Sequence, residues 1–207
     1  MTESAIRAAA QEVVRAEAEA VAAVADQIDE TLVAVSDLLL TCTGKVFTVG
    51  SGTSGTIARR LAHLLSVCGT PAAFLHPMDA LHGTMGVLDG SDVIIAISKG
   101  GESAEINDLL ELARRRAVPV VAVTAAPDST MARRSDIVVT LRTSRGADPG
   151  GVIAMGSTLV TAVWGDALAV VMMRRRGYSW ERMLETHPAG AVGRRSDMPA
   201  ELAPLED

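Results

Sequence analysis

The segment from Asp92 to Glu105, DVIIAISKGGESAE, constrains the rest of the chain more than any other. Val93-Ile94-Ile95-Ala96-Ile97 is a continuous apolar run rich in β-branched residues. It is too short for an ordinary helix and lacks polar alternation, so it predicts a strand covered on both faces of a parallel sheet. Ser98-Lys99-Gly100-Gly101-Glu102-Ser103 follows, small, hydroxyl-bearing and glycine-rich, and leads into apolar positions at helical spacing, Ile106, Leu109, Leu110 and Leu112. A buried strand, a loop and a helix N-terminus make an anion site, because free backbone N–H groups and the positive helix end face the loop. Taken alone, the segment slightly favours a plain β-to-α turn with a Ser or Glu cap.

The plan recurs. Val46–Gly55, VFTVGSGTSG, is an apolar strand followed by Ser51-Gly52-Thr53-Ser54-Gly55, with a helix expected from near Ile57. Two such loops imply a shared anion pocket at the carboxyl edge of an open α/β sheet. Gly50, Gly52 and Gly55 match a dinucleotide-binding G-x-G-x-x-G only in part. The acid that motif wants after the next strand is replaced by Leu75-His76-Pro77, so NAD is set aside.

Further apolar strands are expected at 71–75, 118–123 and 136–141, separated by helical patterns at 57–67 and 102–115. This rhythm predicts an α/β three-layer sandwich around a five-stranded parallel, doubly wound sheet with right-handed crossovers. Residues 1–44 form an N-terminal helical segment whose stripe includes Val13, Val21, Ile28, Val35 and Leu39. It is expected to break once, to start at a Thr2 or Ser4 cap, and to pack on the sheet domain or on another subunit. The sheet domain covers 45–195, and 196–207 reads as a disordered tail. A strongly apolar helix from Ala154 to about Met173 carries one acid, Asp166, and its near-uniform apolarity predicts burial on most sides and favours a subunit interface.

Apolar residues make up 48% of the chain but aromatics only 2%, so the core must be built from Ala, Val, Leu and Ile. A net charge of −6 argues against nucleic acid as a partner. Cys42 and Cys68 have no metal-ligand spacing, and Cys68 reads as a buried thiol of a reducing compartment. His76 and His82 at a strand end invite a zinc reading, yet no further ligands stand nearby, so neither metal nor cofactor is expected. The N-terminus carries acids, unlike a signal peptide, and no apolar run is read as reaching the length needed to span a bilayer, so a cytoplasmic protein with no membrane partner is expected. Arg174, Arg175 and Arg176 read as complements to a helix C-terminus rather than a nucleic-acid patch.

Five motifs in order carry a resemblance. They are GSGTSG (Gly50–Gly55), GTPAAFLHPMDALHG (Gly69–Gly83), SKGGESAE (Ser98–Glu105), GDALAV (Gly165–Val170) and HPAGAVGRR (His187–Arg195). Over about residues 45–195 the chain resembles the sugar isomerase (SIS) domain family, and within it the arabinose 5-phosphate isomerase branch. The resemblance implies the flavodoxin-like fold above and an aldose–ketose isomerase acting on a phosphorylated sugar. It also implies self-association as a dimer or tetramer, with sites shared between subunits. The phosphate would lie among Ser51, Gly52, Thr53, Ser54, Ser98, Lys99, Gly100, Gly101, Glu102 and Ser103. His187 matches the family's catalytic histidine, usually placed in a neighbouring subunit's site, Glu105 matches a functional acid, and His82 becomes a substrate-orienting group.

The chain departs from the branch at three points. Thr53 stands where the branch has a lysine, Gly146 stands where it has an acid (with Asp148 close by), and Ser98-Lys99-Gly100 replaces Ser-x-Ser. These changes leave the sugar open. Another SIS isomerase, such as 3-hexulose-6-phosphate isomerase, and a non-catalytic sugar-phosphate sensor remain the alternatives.

Overall fold

The computed structural model describes residues 2–203 and 205. Five strands, β1 (Val46–Gly50), β2 (Ala72–Phe74), β3 (Val93–Ile97), β4 (Val120–Thr124) and β5 (Ile137–Thr140), form one sheet in the order β2-β1-β3-β4-β5. Every neighbouring pair is parallel, as the unbroken apolar runs required. β1, β3 and β4 are buried along their whole lengths. Side chains alternate between two cores. Val93, Ile95 and Ile97 point into a cluster with Leu61, Leu65, Trp164 and Leu168, while Ile94 and Ala96 join Leu109, Leu110 and Met131 on the other face.

The first core is covered by α1 (Glu3–Ala22), α2 (Glu30–Thr41), α3 (Gly52–Val67) and α7 (Gly156–Arg175). The second is covered by α4 (Pro77–Leu81), α5 (Ala104–Arg115) and α6 (Thr130–Arg133). Two short helices, α8 (Trp180–Glu185) and α9 (Gly190–Gly193), follow. The N-terminal helical pattern breaks once, at a 3-10 turn over Ala25–Gln27. Thr2 caps α1 by accepting the Ala5 N–H at 3.3 Å, and Asp29 caps α2 by accepting that of Thr31 at 2.9 Å. α1 rests on α7, yet Ala20 is its one buried residue, and Ile6 and Val14 stand exposed.

α7 revises one expectation. It is long and apolar enough to cross a membrane by length and composition, which no run appeared to be in the sequence. Its packing gives the physical reason for that apolarity, since Trp164, Leu168 and Met172 are buried against the sheet. Its embedded acid, Asp166, is answered by a fork of two bonds from Arg60 on α3, one of them 2.9 Å long. The arginines at its C-terminus pair with the chain itself. Arg175 reaches Ser36 and Asp37, and Arg176 reaches Leu39 O at 2.6 Å and Thr70 Oγ1 at 3.1 Å.

Cys42 and Cys68 are free and half-buried, and burial pushes both thiols up. The described part of the tail returns to the body of the protein: Ala200 O accepts from Trp180 Nε1 at 2.9 Å and Ala203 O from Arg174 Nε at 2.6 Å. Pro204, Glu206 and Asp207, which belong to the tail expected to be disordered, lie outside the described residues.

Candidate functional site

The strand order turns in opposite directions on either side of β1. β2 lies on one side of it and β3 on the other, so the crevice between the ends of β1 and β3 is the topological switch point of the sheet. Both glycine-rich loops open there. After β1 the chain enters α3 at once, at Gly52 rather than near Ile57. Two glycines permit this. A Cβ on Gly55 would lie 2.7 Å from Gly50 O, and one on Gly50 would lie 2.8 Å from the Ser54 carbonyl carbon. After β3, Gly101 adopts φ +67° against α6, where a Cβ would meet the Ser129 hydroxyl at 2.0 Å.

Both helices that leave this crevice carry serine at the N-cap, Ser51 for α3 and Ser103 for α5. Serine there ordinarily accepts a backbone N–H of the first turn. Neither does so here. The Ser51 hydroxyl instead donates to Glu105 Oε1 at 2.5 Å, and Ser103 Oγ stands 3.5 Å from Ser98 Oγ. Ser98 Oγ in turn accepts the Gly101 N–H at 3.1 Å. Two helix N-termini therefore face one crevice without a side-chain cap, beside three serine hydroxyls. That is the arrangement that binds a dianion through backbone donors, helix dipoles and hydroxyls together.

Thr53 and Gly100 are exposed at the rim with Gly52, which takes φ +56°, and Ser54 is half-buried. Glu102 turns away from the crevice, accepting the Thr130 N–H at 2.8 Å at the start of α6. Lys99 leans to the other side. Its Nζ donates to Asp148 Oδ2 at 2.6 Å, and Asp148 Oδ1 accepts the N–H groups of Met155 at 2.8 Å and Ser157 at 3.0 Å. Asp148 is 6% exposed. Burial acts to raise its carboxyl, but the Lys99 ammonium and the backbone donors of Ser157 and Met155 outweigh it and hold the group at about 2. The ion pair ties the β3 loop to the start of α7 and walls a pocket lined by Ser54, Thr124, Ser157, Thr158 and Thr161, in which the buried Ser157 hydroxyl has no partner among the described residues.

Glu105 sits in the first turn of α5. The Ser51 hydroxyl, then its own backbone N–H, lower its carboxyl below the usual range, and the charge of nearby His76 acts in the same direction. His76 lies just past β2, two residues beyond the Thr48–Phe74 pair and so level with Gly50, which precedes Ser51; among the described residues its buried Nδ1 has no partner. The sequence pointed first to His82, which caps the C-terminal end of α4 and is exposed. Among the described residues no group of three or more His, Cys, Asp and Glu side chains is arranged to hold a metal ion.

His187 lies away from the crevice of its own chain. α7 begins at Asp148 and Lys99 and ends at Leu39 and Thr70, before the sheet's amino edge. Its 20 residues span roughly 30 Å. His187 follows that end, after α8. Its Nδ1 lies 2.8 Å from Met183 O, which can only accept, so Nδ1 is the donor of that bond.

A profile of the SIS domain matches residues 39–171. Arabinose 5-phosphate isomerase KdsD of Shigella flexneri is 38% identical over 187 residues, which is 90% of this chain and 57% of that protein. The chain thus spans little more than half the length of the curated relatives it matches. A proposed sugar-phosphate isomerase of Listeria monocytogenes has a similar structure, with TM-score 0.88 at 34% identity, covering 91% of this chain and all of that one. An E. coli CFT073 protein solved in complex with A5P gives TM-score 0.87 at 30% identity, again covering 91% of this chain and 100% of that one.

Proposed function

The chain belongs to the SIS domain family, and from that premise we propose that it is a sugar-phosphate isomerase that interconverts an aldose and a ketose through an enediolate. The observation that carries the reading is the pair of helix N-termini at the switch point whose serines leave them uncapped. The phosphate sits against the start of α5, bonded by the hydroxyls of Ser98 and Ser103 and by loop N–H groups, with Ser54 and the start of α3 closing the far side. Lys99, the one cation of the two loops, is paired with Asp148, so the phosphate charge is met by the hydroxyls, the loop N–H groups and the helix ends.

The reaction needs a proton moved between adjacent carbons and a second moved between their oxygens. Glu105, kept ionised by Ser51, takes the C2 proton of the open-chain aldose and returns it to C1. The C2–O–H proton passes to the C1 oxygen through a histidine, so the enediolate forms and collapses with no net loss of atoms or charge. Once Glu105 holds the C2 proton it can donate to the Ser51 oxygen, which frees the Ser51 proton to bond the developing oxyanion. His187 acts through Nε2, donated into the crevice of a second copy, because its own crevice lies at the far end of α7. A homo-oligomer is therefore part of the reading, supported by the exposed Ile6 and Val14 on α1. His76, rather than His82, is the histidine this copy supplies beside Glu105.

Calorimetry and product analysis with a panel of pentose and hexose phosphates test the assignment. Phosphosugars should bind and convert, the unphosphorylated sugars should not bind, and Ser98→Ala with Ser103→Ala should weaken binding about tenfold or more. Binding of a phosphosugar with no conversion of any in the panel would identify a sensor instead.

A further inference from the structure

Beside the crevice, the connection from β5 to α7 encloses a second and wider cavity. It is lined by Lys99, Arg142, Ser144, Arg145 and Asp148, and it meets the hydroxyl-lined pocket at Lys99 and Ala125, which border both. Three cations against one carboxylate leave this wall at +2 (3 − 1), in a chain whose net charge is −6. The one negative charge is already used. Asp148 gives Oδ2 to Lys99 and Oδ1 to two backbone N–H groups at the start of α7.

The donors, by contrast, are unspent. Among the described residues the guanidinium groups of Arg142 and Arg145 have no hydrogen bond or ion pair; Arg142 is held through its backbone, which exchanges bonds with the Gln27 side chain at 2.7 and 3.1 Å. The Ser144 hydroxyl is buried with no partner among the described residues, which costs free energy until something pairs with it. Gly146 at φ +93° has open space where its side chain would stand, so it adds neither charge nor bulk to the wall.

We propose that this cavity is a second anion subsite continuous with the phosphate cradle, and that it binds a phosphosugar carrying another anionic group, a carboxylate or a second phosphate, at its opposite end; with C1 so blocked the compound cannot form the enediolate, so it is a competing ligand rather than a substrate. The inference rests on the isomerase reading for the seat of the first phosphate. Lys99 stands between the two subsites, fixed by Asp148. Arg142 and Arg145 present planar forks suited to carboxylate or phosphate, and Ser144 adds a neutral donor.

Calorimetry with a hexose 6-phosphate and the corresponding 1,6-bisphosphate separates the two ideas. In the parent protein the bisphosphate should bind about tenfold tighter or more. An Arg142→Gln, Arg145→Gln double variant should remove that advantage and leave monophosphate affinity as it was; Ser144→Ala should reduce the advantage in part. Both arginines are exposed and the Arg142 contact to Gln27 is through the backbone, so the variants should melt with the parent. Equal affinity for the two ligands in the parent would overturn the second subsite, and so would an advantage that survives the double variant. Failure of the monophosphate to bind would instead count against the phosphate cradle, and so against the reading on which this one rests.

Discussion

Glu105 and Asp148 are the two carboxylates whose surroundings hold them most informatively in the charged state, and they do different work. For Glu105 the Ser51 hydroxyl is the largest cause of the lowering. A base held below its ordinary range stays ionised as pH falls, so the acid limb of kcat/KM should lie below the usual Glu value. Removing the hydroxyl in Ser51→Ala should move that limb to higher pH, a shift a pH–rate profile reads directly. Glu105→Gln should cost roughly 100- to 10,000-fold in turnover, the usual range for a general base, while phosphosugar affinity is retained. His76→Gln should lower kcat with little change in KM, whereas His82→Gln should change neither; the reverse result would return the orienting role to His82.

Asp148 works on stability. Its folded value, about 2, lies below the ordinary 3.8, so its contribution is complete above 3.8 and is lost as pH falls through the folded value. Asp148→Asn should cost about 1–3 kcal/mol at neutral pH, because it leaves Lys99 and two N–H groups poorly paired. Melting curves of parent and variant should converge between about pH 4 and pH 2.

At the scale of elements, the strands were legible because each is a short apolar run between polar turns, and a parallel sheet buries such runs on both faces. The limits of β1 and β3 fall where the runs end. The start of α3 was not legible. Gly-Thr-Ser-Gly has the composition of a loop, yet it forms the first turn because Gly50 and Gly55 let the helix begin against the strand that feeds it. The candidate site divides the same way. Ser51, Ser98, Ser103 and Glu105 were visible as strand-end residues before helices. The choice between His76 and His82 was not, because it depends on β2 lying at the sheet edge beside β1. Nor was the Lys99–Asp148 pair, whose members are 49 residues apart.

The loop after β3 is the element with least tolerance. Gly101→Ala would force a side chain into the left-handed region and against Ser129. About 1–2 kcal/mol of stability should be lost, and the loop should leave α6, weakening phosphosugar binding more than Thr53→Ala does at the open rim. Equal effects of the two substitutions on affinity would mean that the β3 loop is not the phosphate seat.

In the function proposed above, the site needs groups from two copies of the chain. Glu105 belongs to the crevice at the carboxyl edge, and His187 follows the other end of α7. Mixing and reassembling Glu105→Gln with His187→Ala chains should therefore restore part of the activity that each lacks alone, since a mixed assembly contains crevices with both groups intact. Recovery near a quarter to a half of the parent is not required; any recovery above the sum of the two variants shows sharing.

If this crevice moves a proton between neighbouring carbons of a phosphosugar, NMR of phosphorylated pentoses and hexoses incubated with the protein in heavy water should show deuterium at C1 or C2 of at least one sugar. Glu105→Gln and His187→Ala should each abolish that exchange. A phosphosugar that binds the crevice while none in the panel exchanges a carbon-bound proton would contradict that proton transfer.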